Sequence, residues 1–113
     1  KLKGSNISNM KKVKITAIRK ACYQDLMEKY ENPIEHACDL EEGQVWIANG
    51  YTMPEGFCPS AWETLSQWVL ALSHGGQNFY DGWMKNPKSA MISCNDGFRP
   101  VSFLLETLEE DAE

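Results

Sequence analysis

Long apolar runs are missing from this chain of 113 residues, and with them any stretch able to span a bilayer. A basic excess is missing too. Lys and Arg number 11 against 16 Asp and Glu, a net charge of -5. Nonspecific nucleic-acid binding needs a basic face to neutralise phosphates, so no nucleic-acid partner is expected. There is no Cys-x-x-Cys pair, which removes the strongest signals for a zinc ribbon or a thioredoxin-type site. No Ser-His-Asp order, phosphate-binding Gly loop or His-Glu-x-x-His motif occurs, and histidine appears only twice, as His36 and His74. Nothing reads as a charged-apolar-small secretion signal. The four cysteines, Cys22, Cys38, Cys58 and Cys94, are therefore expected to be reduced thiols in the cytoplasm rather than a disulfide framework.

What is present suits one small globular domain. Hydrophobic residues make up 42% and charged residues 24%, and four Trp give ample material for a core. Residues 1–9, KLKGSNISN, are polar and unlike the rest of the chain. They are expected to be a leader foreign to the domain, with the natural start at Met10. Residues 10–106 read as a single domain and 107–113 as an acidic tail expected to fray.

Alternation of Val13, Ile15 and Ala17 with Lys14, Thr16 and Ile18 predicts a first strand over Lys12–Lys20. Tyr23, Leu26, Met27 and Tyr30 recur at helical spacing, and this stripe is expected to pack in the core until Asn32-Pro33 ends the helix. Gln44–Ala48 reads as a second strand. The strongest helix runs from Ser60 to His74, with Trp62, Leu65, Val69 and Leu72 on one face. Ser60 and Glu63 fit a capping box, and Gly75-Gly76 supplies a stop. Ala90–Cys94 and Val101–Leu105 each alternate at period two around Asn95-Asp96-Gly97, a short-turn signal with Gly97 left-handed. Pro100 would put the last strand at an edge or at a bulge. The order predicts a small α+β domain, with a sheet of about four strands, two main helices packed on one face and a C-terminal β-hairpin. An exposed sheet edge would invite a second copy, so a homo-oligomer is expected.

Glu55-Gly56-Phe57-Cys58 leading through Trp62 into a helix, Gly75-Gly76 after it, and Cys94-x-Asp96-Gly97-x-Arg99-Pro100-Val101 form a set. Together with Lys12-Val13-Lys14-Ile15 and Gly43-Gln44, they resemble a family of short, uncharacterised proteins found largely in anaerobic bacteria and archaea. The resemblance runs from Met10 to Glu106. It departs at Asp39, where a Pro usually follows the cysteine, and at Ser93, often a second Cys in such proteins. It implies a single fold unit in a reducing cytoplasm and supplies no reaction.

Candidate chemistry centres on Cys58, just before a helix start whose dipole favours negative charge, and on Cys94 at the turn. Either is a candidate catalytic thiol, with inert packing as the alternative. Arg99 offers a planar fork of donors to a carboxylate or phosphate, unless it simply pairs with Asp96. With Ser60, and with Trp62 and Phe98 as apolar wall, it outlines a site for a small anionic or aromatic ligand. Should a metal be bound, Cys38, Cys58, Cys94 and His74 are the candidate ligands. No cofactor is specified. The functional readings are therefore a small-molecule-binding domain, a small redox or metal-dependent enzyme using Cys58 or Cys94, or a structural partner-binding module.

Overall fold

The computed structural model describes residues 9–34 and 38–113, so His36 lies outside the described residues. Four strands, β1 (Lys11–Lys20), β2 (Val45–Ala48), β3 (Ser89–Ser93) and β4 (Val101–Asp111), form one sheet in the order β2-β1-β4-β3. Every neighbouring pair is antiparallel. Two helices, α1 (Gln24–Tyr30) and α2 (Pro59–Ser73), complete the α+β domain predicted from the hydrophobic periods.

The period-two pattern does the sorting. Val13, Ile15 and Ala17 of β1 and Val101, Phe103 and Leu105 of β4 are buried on one face, together with Ala90 and Ile92 of β3. Against them α2 sets Ala61, Leu65, Val69 and Leu72, spaced to share one helical stripe and all essentially inaccessible to water. Burying each large apolar side chain of this kind contributes about 1.5–3 kcal/mol. Phe57 and Trp46 close one end, edge-to-face at 4.9 Å between ring centroids. At the helix end the His74 Nδ1 lies 3.0 Å from the Leu70 carbonyl, and Gly75, with φ of 93°, makes the left-handed exit.

Five expectations need correction. The stripe of α1 is not in the core. The helix has no buried residue, and Tyr23, Leu26 and Tyr30 are exposed, because seven residues docked at the end of the sheet cannot reach its face. The capping box does not form. Pro59 takes the first helical position, where its missing N–H costs nothing, and Cys58 becomes the N-cap without a side-chain hydrogen bond.

The short hairpin turn is instead a seven-residue loop over 94–100, and Gly97 does not adopt a positive φ. Asp96 organises that loop, its Oδ1 accepting the amides of Phe98 at 2.8 Å and Arg99 at 3.2 Å. Pro100 is not at an edge, since it precedes the central strand β4, but the β1–β4 pairing is bulged close by, between Ala17 and Arg19, and the Pro100 carbonyl accepts the Ala21 amide at 2.9 Å.

Finally, residues 107–111 are strand, not fraying tail. Thr107 pairs with Val13 and Asp111 with Lys11, and Asn49 brackets the backbone of Glu113. Lys11 and Lys12 neutralise Asp111, Glu110 and Glu113, which is how an acidic run tolerates strand geometry. Among the described residues no helix is long and apolar enough to cross a membrane.

Candidate functional site

Three segments far apart in sequence meet where α2 begins. The connector before β2 brings Cys38 and Leu40, the helix start brings Cys58, Ser60 and Ala61, and the β3–β4 loop brings Cys94, Asn95, Asp96 and Arg99. They enclose a cavity of about 120 Å³. Three of the four thiols line it and are half-buried; Cys22, the fourth, is exposed elsewhere.

Each segment is held there by identifiable bonds. Cys94 donates its amide to the Val101 carbonyl at 3.0 Å, and the Val101 amide returns to Cys94 Sγ at 3.2 Å. That reciprocal pair closes the loop just ahead of β4 and fixes the sulfur. The Ser60 hydroxyl donates to Asn95 Oδ1 at 2.9 Å, tying the loop to the helix start. Because Ser60 and Ala61 stand in the first turn, their amides have no intrahelical acceptor, and both residues line the cavity.

Arg99 forms the polar corner. Its Nη1 donates to Asp96 Oδ2 at 3.2 Å and its Nη2 to Glu31 Oε1, so the fork spans the loop and the end of α1. Backbone bonds from Tyr23 to Phe98 and from Ala21 to Pro100 hold α1 beside that loop. Burial alone would raise the Asp96 carboxyl. The amides of Phe98 and Arg99 and the adjacent guanidinium outweigh it and hold the group below its ordinary value of 3.8. The corner thus carries one cation between two carboxylates. An incoming anion would have to compete with Asp96 or Glu31 for the donors of Arg99.

Of the residues singled out from sequence, Cys38, Cys58, Ser60, Cys94 and Arg99 come together. Trp62 and Phe98 do not line the cavity. Trp62 packs half-buried against the core beside α2, its ring 6.1 Å from those of Tyr51 and Phe57, and Phe98 contributes its backbone. His74 stands past the far end of a 15-residue helix, roughly 24 Å of rise from Cys58, and cannot join the three thiols. Among the described residues no group of three or more His, Cys, Asp or Glu is arranged to hold a metal ion.

Sequence reasoning missed Asn95 as the partner of Ser60, and Glu31 as the second partner of Arg99. The first was hidden by the apparent capping box. The second had no local signal, because Glu31 and Arg99 are 68 positions apart. A second hollow, of about 230 Å³, lies at the other end of α2 between Gly76, Lys88 and Thr107, with Lys11 at its rim already bonded to Asp111.

The chain matches no family model, no curated protein and no solved structure.

Proposed function

We propose that the cavity at the start of α2 is a binding site, and that the protein is an accessory small-molecule-binding domain of a reducing cytoplasm. The convergence of Cys38, Cys58 and Cys94 from three separate segments on one cavity carries this reading. All three pack against the edge of the hydrophobic core and are half-buried, so they line the hollow without being sealed inside the core as free cysteine often is.

The volume narrows the ligand. An engineered apolar cavity of about 150 Å³ accepts benzene, so a flat aromatic body overfills 120 Å³ as the walls stand. A small anion could enter only by displacing one carboxylate from Arg99. The geometry best suits a compact, polarisable ligand of a few heavy atoms. Three cysteines would line it, with the Ser60 hydroxyl and the first-turn amides of α2 as polar anchors. Arg99 then acts as a positioning residue that holds α1 against the loop.

Titration of isotope-labelled protein with compact sulfoxides, nitriles and thiols tests this by amide chemical shift. Amides of Ser60, Cys94 and Val101 should move together. Responses confined to Gly76 and Lys88, around the hollow at the far end of α2, would reject the assignment.

A second reading is favoured by one bond. Cys94 Sγ accepts the Val101 amide, and hydrogen bonds to sulfur are a feature of sites that use thiolate chemistry. A small redox or metal-dependent enzyme acting through Cys94 or Cys58 would show one thiol alkylated far faster than Cys22 at neutral pH. The resemblance to proteins of anaerobes supports cytoplasmic residence, and the net charge of -5 supports the reading of no nucleic-acid partner. Self-association completes the proposal.

A further inference from the structure

The sheet has two faces, and α2 covers only one. On the other, the cross-strand register writes two continuous rows. Val45 stands opposite Thr16, Thr16 opposite Leu104, and Leu104 opposite Met91, one residue from each strand. The next row runs Ile47, Lys14, Glu106 and Ser89. Val45 is 48% exposed, Ile47 44% and Met91 37%, and Thr16, Leu104, Lys14 and Glu106 are half-buried beside them. Among the described residues neither helix covers this face, although Ser89 at its corner is buried, and neither Lys14 nor Glu106 belongs to an ion pair.

We infer that this uncovered face binds a second copy of the chain. The argument is the self-complementarity of the rows. A two-fold axis running parallel to the strands, between β1 and β4 and about 5 Å above the sheet, lays β1 of one copy over β4 of the other. It also lays β2 over β3. Met91 then meets Val45 of the second copy, and Leu104 meets its Thr16. In the next row Lys14 meets Glu106 and Glu106 meets Lys14, twice over by symmetry. Under this one rotation Met91 and Val45 bring apolar against apolar and Lys14 and Glu106 bring cation against anion, while Leu104 faces a threonine and Ile47 stands over the buried Ser89. Two sheets so related are aligned rather than crossed, a common way for twisted sheets to stack about 10 Å apart.

All four strands run side by side only along the four residues of β2, an area about 19 Å by about 13 Å. The central pair extends it to about 33 Å along the ten residues of β1. Each copy therefore contributes less than the roughly 800 Å² of a standard interface, and the dimer is a weak one. The inference is independent of the thiol cavity, which lies on the α2 side of the sheet.

Sedimentation equilibrium over about 1 µM to 1 mM tests it. The wild-type chain should be dimeric. Met91→Lys and Val45→Lys, both at exposed positions, should each raise the dissociation constant about tenfold or more without changing the circular dichroism spectrum. Lys14→Glu and Glu106→Lys should each weaken the dimer, since like charges then face across the axis, and the double reversal should restore it. A monomer at every concentration overturns the inference. So does a dimer indifferent to Met91→Lys and Val45→Lys, or singles and a double reversal that behave alike.

Discussion

Two leucines with equal claims in the sequence should behave very differently. Leu65 on α2 and Leu26 on α1 each sit in an apolar stripe at helical spacing. In the structure Leu65 has no exposure, whereas Leu26 is 37% exposed on a helix that buries nothing. Leu65→Ala deletes three carbons from the contact between α2 and the sheet. At about 0.8 kcal/mol per buried methylene the transfer term alone is about 2.4 kcal/mol. The hole left between α2 and the central strands β1 and β4 adds to it, because a helix pinned at both ends collapses only partly. The total should fall at about 2.7–5 kcal/mol, the range seen for buried Leu→Ala changes. For a domain of this size that lowers Tm by about 10–20 °C. Leu26→Ala should cost under about 1 kcal/mol. Urea unfolding followed by tryptophan fluorescence reads both. Equal losses would mean that α1 is packed and that the division into one covering helix and one peripheral helix is mistaken.

Ser60→Ala, which a capping box would penalise by about 0.5–2 kcal/mol, should cost less than that in global stability, since Ser60 caps nothing. It should instead loosen the β3–β4 loop by removing the bond to Asn95, read as faster amide exchange at Cys94. Asp96 gives a pH dependence. Its carboxyl is held below 3.8 when folded, so its contribution is complete above that value and is lost as the pH falls through the depressed folded value. Denaturation midpoints should therefore drop as the pH falls below about 4, less steeply in Asp96→Asn. Removing residues 106–113 should destabilise the domain measurably by thermal unfolding, because it strips β1 of its partners from Lys14 to Lys11. A tail that merely frayed would be lost without effect.

The legible part of this fold is the part governed by short periods. Val13, Ile15 and Ala17, or Leu65, Val69 and Leu72, announce both their element and their buried face, because one face of each meets the core. The site was legible only as a conditional: if the start of α2 meets the loop after β3, then Cys58, Cys94 and Arg99 share a corner. They do, and Cys38 joins them. What stayed hidden depends on contacts that no local pattern records. Glu31 looks like a solvated helix end until Arg99 reaches it. Glu106 to Asp111 looks like a soluble tail until β1 supplies ladder partners and two lysines. Trp62 looks like a pocket wall, but one helical step from Ala61 turns it away from the cavity.

Whether three thiols share one small space can be measured without knowing any ligand. Cys58 alone, in a Cys22→Ser background, is capped with a methylthio group, and alkylation of Cys38 and Cys94 is then followed by intact and peptide mass. A group of that size fills much of 120 Å³, so both remaining thiols should slow about tenfold or more, while Arg99, Asp96 and the fold are untouched. Unchanged rates at Cys38 and Cys94 would show that the three sulfurs do not face a common cavity, and the proposed site would fall with that result.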